Sequence, residues 1–326
     1  PSEAVHGRVA GEGSAQSARH GLTVTAAQVL EPRRIKRVLL IVNPASRRGA
    51  RIRTRALKAF ADYGVDCDEM VTDAPGNAAV LARTHAHRYQ AVFTLGGDGT
   101  VMEVIGALAN RGPPLGILAG GTGNVVARSL GISLNPTKAV PQLLGGDEAK
   151  MDLGRLGDGR RFAIGMGVGL DATMIEQAPA ALKKRLGFFA YVISGWKAVL
   201  QNRKFRLTLT VDGERFELSA SAILIANFGA VLNDLLWFGD GILRDDGKLD
   251  ACVFSPRNFP DAVRIFWRMV RKDFSPDPCI FYKSGREFRI ETDPPMPGQA
   301  DGELLAGTPF SVTVDPLAGR LLIPRS

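Results

Sequence analysis

Cysteine, histidine and long apolar runs are all scarce in this chain of 326 residues. The three cysteines, Cys67, Cys252 and Cys279, are odd in number and far apart, which excludes a disulfide framework and any CxxC metal clip. Core thiols of a reducing compartment are the expectation. Of the four histidines, His6 and His20 fall in the N-terminal stretch, while His85 and His87, two apart on a predicted helix, face different directions. That disfavours a histidine-centred triad or zinc site. The longest uncharged stretch, from Leu218 to Asn233, is broken by Ser, Asn and Gly and is shorter than the ~20 apolar residues of a spanning helix, so no transmembrane segment is predicted. Also missing are the Walker pattern and a GxGxxG turn after the first strand, which disfavours standard P-loop and dinucleotide folds.

What is present fits a globular chain of two domains: its length exceeds one comfortable core, and 45% of it is hydrophobic. The net charge of +8 suits nucleic acid, an anionic membrane surface or a polyphosphate substrate. Dispersed charge and the lack of any known RNA or DNA module make nucleic acid the weakest of these. Residues 1–34, rich in Gly, Ala and Ser without an apolar core, read as a flexible tail rather than a signal peptide, so a cytoplasmic location is expected.

From Ile35 to about residue 150 strands and helices alternate. Apolar runs Val38 to Val42, Ala91 to Leu95 and Leu115 to Leu118 read as strands, and Val65 to Met70 as a peripheral one. Helices are predicted between them, including Ala78 to Tyr89 after a Pro75-Gly76-Asn77 start signal, and one opening at Asn124. Such alternation implies α/β architecture, a doubly wound parallel sheet with helices on both faces. Beyond Met151 the texture changes to short strand-like runs (Phe162 to Val168, Phe205 to Val211, Ala222 to Ala226, Lys248 to Phe254, Phe288 to Glu291, Phe310 to Val314). Turn pairs such as Asp158-Gly159, Asp212-Gly213, Asp246-Gly247 and Asp301-Gly302 punctuate them. A β-rich second domain over 151–317 follows, with helical inserts at Ala178 to Leu200 and Pro260 to Lys272. A last strand, Arg320 to Ile323, could complete the first domain from 318–326.

Two glycine turns carry the chemistry. Gly96, Gly97, Asp98, Gly99 and Thr100 close the Ala91 strand and open a helix; Gly120, Gly121, Thr122, Gly123 and Asn124 do the same after the Leu115 strand. Such junctions aim backbone N–H groups and a helix N-terminus at an anion above the sheet, and glycine lets the anion come close. Asp98 supplies a hard oxygen of the kind Mg²⁺ takes. Asn124 at a helix start, and Asn43 with Pro44 after the first strand, are open to capping or to direct contact with a phosphate or hydroxyl.

In this order the residues resemble the diacylglycerol kinase catalytic-domain family, which includes bacterial lipid kinases and sphingosine kinases. The resemblance runs from Ile35 to about Pro324. It rests on Asn43-Pro44, the Gly96 and Gly121 blocks, Gly167-Val168-Gly169-Leu170-Asp171-Ala172, Asp245-Asp246-Gly247-Lys248-Leu249-Asp250 and Asp301-Gly302-Glu303. The Gly96 block alone is shared with 6-phosphofructokinases and NAD kinases. The resemblance implies a nucleotide domain of that type, a C-terminal β-sandwich, and ATP- and Mg²⁺-dependent phosphorylation of a lipid hydroxyl in the cleft between them. It implies that the turns of Gly96, Gly97, Gly99, Thr100, Gly121, Thr122, Gly123 and Asn124 cradle ATP, with Asn43 and Thr72 nearby. Asp98 would hold the catalytic Mg²⁺, Asp301 would act as general base, and Glu303 would support the metal network. By the same analogy Asp171 reaches the substrate head group, and Asp246, with the carbonyls of Leu243 and Lys248, holds a structural Mg²⁺. A hairpin turn is the alternative for both Asp301-Gly302 and Asp246-Gly247.

Departures stand beside the matches. Many bacterial relatives carry an Asp where this chain has Val125, a proline where it has Ala119, and a glycine where it has Arg47. A lipid substrate also requires contact with a membrane surface, at the inner face for a cytoplasmic protein. Lys183, Lys184 and Arg185 ahead of Leu186, Phe188, Phe189 and Tyr191, and Trp267 among Arg264, Arg268, Arg271 and Lys272, suit an anionic interface; a solvated helix face is the alternative. A homodimer is left open. Two other functions fit less of the chain: a soluble small-molecule kinase of the NAD-kinase type, and a catalytically weak nucleotide- or lipid-binding protein.

Overall fold

A computed structural model describes residues 35–44, 49–121, 123–169, 204–231, 236–237, 239, 242–301 and 303–325. Residues 1–34, Arg47, Thr122, Asp171, the predicted insert 178–200 with its basic and aromatic residues, and Gly302 lie outside the described residues.

The first half alternates strand and helix: β1 (Arg37–Val42), α1 (Gly49–Asp62), β2 (Asp66–Val71), α2 (Asn77–His85), β3 (Ala91–Gly96), α3 (Asp98–Leu108), β4 (Leu115–Ala119), α4 (Val125–Ser129) and α5 (Pro136–Leu144). All pairings among β1 to β4 are parallel, in the order β2-β1-β3-β4. Helices cover both faces of such a sheet, so central strands need no polar side. Every residue of β3 and β4 is buried, whereas edge strand β2 buries none fully. Phe60 of α1 meets Phe93 of β3 edge-on, ring centroids 4.9 Å apart. The helix predicted to reach Tyr89 ends at His85, and Ala86–Arg88 tighten into one 3₁₀ turn, a common way to satisfy the last carbonyls.

The second half is strand-rich: β5 (Asp147–Leu156), β6 (Arg161–Phe162), β7 (Gly165–Val168), β8 (Phe205–Val211), β9 (Glu214–Ala220), β10 (Ala222–Ala226), β11 (Ala230–Val231), β12 (Leu236–Trp237) and β13 (Leu249–Phe254). Helix α6 (Phe259–Arg271) follows, then β14 (Ile280–Gly285), β15 (Glu287–Asp293), β16 (Pro297–Ala300), β17 (Glu303–Gly307) and β18 (Phe310–Ile323). One antiparallel sheet has the order β14-β13-β10-β7-β16-β17. It packs on β8, β15 and β18 through a second core that includes Met166, Val168, Leu207, Leu209, Ile223, Ile225, Phe288, Ile290 and Val312. Asp212 (φ 49°) and Gly213 (φ 86°) make the predicted β8–β9 hairpin, a left-handed pair that suits the strand twist.

Three expectations change. The run Phe162 to Val168 is two strands, because Ala163, Ile164 and Gly165 give their N–H groups to the Asp301 side chain instead of a neighbouring strand. Phe310 to Val314 and Arg320 to Ile323 are one 14-residue strand, irregular between Asp315 and Gly319. Its far end pairs parallel with β4 and antiparallel with β5, its near end antiparallel with β15, so the parallel sheet continues into the β-rich half as one ten-stranded sheet. Asp246-Gly247 joins no hairpin; it sits on a loop pinned from below by Asp152.

Candidate active site

β3 ends at Gly96, Gly97 precedes the first turn of α3, and Asp98 opens that helix, where a carboxylate complements the dipole. The second glycine turn is fastened to the first: the Gly96 carbonyl accepts from the N–H groups of both Gly120 and Gly121, at 2.8 and 3.1 Å. A Cβ on Gly121 would lie 2.6 Å from the Gly97 Cα, so the two turns touch backbone to backbone. Asn124, buried and at φ 49°, closes the second turn. Its Oδ1 accepts from Gly121 N–H at 3.0 Å and its Nδ2 donates to the Gly121 carbonyl at 2.8 Å. The side chain thus clamps its own turn and makes no cap bond to α4.

Beside this junction lies a cleft of about 260 Å³ walled by Asn43, Pro44, Thr72, Asp73, Gly99, Thr100 and Glu103, among others. Asn43 donates from Nδ2 to Thr100 Oγ1 at 3.1 Å, linking the end of β1 to α3. Four of the expected nucleotide-site residues, Asn43, Thr72, Gly99 and Thr100, share its wall. Asp73 and Glu103 have no motif to mark them. Glu103 accepts from the N–H groups of Gly76 and Ala78 at 3.1 Å each, supplying from α3 the cap that the start of α2 lacks.

Asp301 reaches the site from the other half of the chain. It sits at φ 46° on the turn between β16 and β17. Its Oδ2 accepts from Ala163 N–H at 2.6 Å, and its Oδ1 from those of Ile164 and Gly165 at 2.9 and 3.0 Å. Burial pushes its carboxyl up to about 6; the three amides oppose that rise, and the nearby Asp98 charge adds to it. Asp98 is itself raised by burial, against the N–H groups of Val126, Val125 and Asn124. The fold therefore brings Asp98, both glycine turns and Asp301 into one neighbourhood. A half-buried carboxylate with one lone pair of Oδ2 unused can accept a proton, and two hard-oxygen groups within each other's field suit a divalent cation.

Comparison with known proteins gives the chain's relatives. Residues 37–156 match the family profile described as the diacylglycerol kinase catalytic domain, and residues 165–323 the one described as the YegS C-terminal NAD kinase beta sandwich-like domain. A Staphylococcus haemolyticus protein provisionally named a lipid kinase is 31% identical over 234 residues, 71% of this chain and 75% of that protein. The chain belongs to the diacylglycerol kinase family. The Bacillus subtilis diacylglycerol kinase is 28% identical over 276 residues, 82% of this chain and 90% of that one. An uncharacterized Synechocystis protein is 29% identical over 237 residues, and there the chain spans about half the relative's length, 54%. A Bacillus anthracis crystal structure provisionally described as a diacylglycerol kinase superposes with a TM-score of 0.79 at 25% identity, covering 92% of this chain and 97% of that one.

In this diacylglycerol kinase family member the remaining motif residues divide. Glu303 is exposed and stands 4.0 Å from the Arg160 guanidinium. Val125 is buried in the core of the first half, so this position serves packing. Asp246 is exposed and accepts at Oδ1 from Lys248 N–H, 3.0 Å away, while Leu243 on the same loop is also exposed. Among the described residues no three Asp, Glu, His or Cys side chains gather as a metal group. Sequence reasoning missed Asp152 and Asn227. Asp152 is buried and binds Gly247 and Leu317 N–H, each at 2.7 Å; its pKa is raised by burial, with the charges of Asp246 and Asp245 adding. Asn227 is buried and donates to the carbonyls of Asp152 and Ala163, at 2.7 and 2.9 Å, steadying the stretch that grips Asp301. Its one signal is a polar residue closing the apolar run Ile223 to Ala226.

Proposed function

We propose that this lipid-kinase family member transfers the terminal phosphoryl group of ATP, with Mg²⁺, to a primary hydroxyl of a diacylglycerol- or sphingoid-like lipid drawn from a membrane surface. Residues 35–150, completed by 318–326, bind the nucleotide, and 151–317 receive the lipid. The reading rests above all on the Asp301 carboxylate, half-buried, held by three amides and raised towards neutrality beside Asp98. Asp301 takes the proton of the attacking hydroxyl at the free lone pair of Oδ2. Its three amide donors fix the carboxylate's direction, so little reorganisation is needed when the proton moves.

The cleft beside Asn43, Thr72, Gly99 and Thr100 receives the nucleoside end of ATP. The backbone of Gly96, Gly97, Gly121, Gly123 and Asn124 is the proposed phosphate cradle, and Thr122 belongs to the same motif. Asp98 and, in support, Glu303 are the carboxylates that would hold Mg²⁺, which when bound neutralises charge building on the transferred group. Asp246, with the carbonyls of Leu243 and Lys248, is the proposed structural Mg²⁺ site, and Asp171 the proposed head-group contact.

The test is Asp301→Asn with dispersed diacylglycerol or sphingoid base as acceptor. Phosphorylated lipid, followed by mass spectrometry, should fall about 10²- to 10⁴-fold while ATP affinity stays near that of the parent chain. Unchanged turnover would remove Asp301 from the base role. ADP release with NAD, and none with lipid, would move the chain to a soluble acceptor.

A further inference from the structure

Helix α6 has three faces where an ordinary surface helix has two. Ala262, Ile265 and Met269, with Asp261, are buried against the body of the protein. Turning away from that face at 3.6 residues per turn come Phe266, Phe259, Val270, Val263 and Trp267. Phe259 is 62% exposed and Trp267 51% exposed, while Val263, Phe266 and Val270 are half-buried. Phe259 and Trp267 thus carry the solvent-facing part of this second apolar stripe. Arg257, Arg264, Arg268 and Arg271 form the third face, on the far side of Trp267.

The arginine row is held in place. Arg264 bridges Asp261 at 2.7 Å and Asp277 at 3.2 Å, Arg268 bridges Asp277 at 3.0 Å and Asp273 at 3.2 Å, and the Arg271 guanidinium stands 5.9 Å from the centre of the Trp267 ring. Over residues 257–277 five Lys and Arg face three Asp, so the face stays net positive.

We propose that the Phe259–Trp267 stripe of α6 is a docking face for an anionic lipid bilayer: the stripe enters the acyl boundary and the arginine row lies on the headgroup phosphates. The choice of a bilayer rests on the lipid-kinase reading and on charge. A second copy packed two-fold on this stripe would bring two arginine rows together, whereas a bilayer supplies apolar depth and negative charge side by side. Trp267, between the apolar and cationic faces, has the amphipathic ring suited to that boundary. Fixing the arginines beforehand lowers the ordering cost of binding.

Co-sedimentation of the full chain with vesicles of phosphatidylglycerol and phosphatidylcholine, against phosphatidylcholine alone, tests this. The parent chain should bind the anionic vesicles and bind the neutral ones far more weakly. Phe259→Ser/Trp267→Ser should weaken anionic binding about tenfold or more. Arg257→Gln/Arg271→Gln should weaken it on anionic vesicles only, and raised salt should mimic that loss. Circular dichroism should show both variants folded, since the substituted side chains are exposed. Equal vesicle binding by the parent and the Phe259→Ser/Trp267→Ser variant overturns the proposal. So does a parent dimer in analytical ultracentrifugation that this variant dissolves without changing vesicle binding. Phosphoryl transfer to a short-chain diacylglycerol held in solution separates the two claims, because the stripe variant should match the parent there. If the parent transfers nothing in that assay yet loses vesicle binding with the stripe, the docking face stands and the kinase reading falls.

Discussion

Three influences compete at Asp301. Removal from water favours the neutral acid, three peptide N–H groups favour the carboxylate, and the Asp98 charge opposes it again; the first wins, and the group titrates at about 6. In its proposed role as base Asp301 must be ionised to act, so kcat/KM should rise as pH increases through about 6 and level above it. Stability runs the other way. A carboxyl raised in the folded state stabilises the fold when protonated, a contribution present below the unfolded pKa and lost as pH climbs through about 6. Replacing Asp98 by Asn should lower the Asp301 midpoint, as read from its carboxyl carbon by NMR; a midpoint that stays put would mean that the two groups do not sense each other. Asp98 and Asp301 were legible in the sequence because each sits in a short motif with glycine neighbours. Their partners were not: Ala163 lies 138 positions from Asp301, and Glu103 reaches Gly76 across 27, so only folding brings those contacts together.

At the level of elements, the two strand-to-helix turns form one object. Gly96 O ties β4's turn to β3's, and the bare Cα of Gly97 fills the place where a side chain on Gly121 would stand. Gly121→Ala must push the turns apart, since its methyl would meet backbone 2.6 Å away, which cannot rotate aside as a side chain could. ATP affinity measured by calorimetry should fall about tenfold or more, with the fold retained. Gly99 has no atom within 4 Å of the corresponding position, so Gly99→Ala should leave the packing of the turns intact. Elements with apolar runs, β1, β3, β4 and β10, or with strict alternation, β8, are readable from their residues because each pattern leaves one reading. Strands β16 and β17 are not, since Pro297-Gly298-Gln299-Ala300 and Glu303-Leu304-Leu305-Ala306-Gly307 carry no period and owe their form to pairing with β7 and with each other. The break after Phe162 is of the same kind: a side chain far along the chain takes the hydrogen bonds that would have continued the strand.

At the scale of the molecule, β18 decides how the halves relate. Composition changes near residue 151 and invites a picture of two separate sheets, but β5 runs across that position and β18 lies between β4 and β15, within the ten-stranded sheet. Pattern shows two short strands at the C-terminus; it cannot show that they are one, because the irregularity from Asp315 to Gly319 interrupts the alternation where Asp152 binds Leu317 N–H. Leu321 stands opposite Leu115 on one side and Ala149 on the other, nearly without solvent contact. Leu321→Ala should cost about 2–5 kcal/mol through lost burial and the cavity left behind. If the sheet transmits that loss, both halves weaken together. All three tryptophans lie between residues 196 and 267, so fluorescence reports the β-rich half, and protection of the chain from proteolysis by ATP reports the other. In urea the two signals of Leu321→Ala should move to lower midpoints by the same amount. A fluorescence midpoint that holds at the parent value while ATP protection fails would show that β18 joins the halves without coupling them.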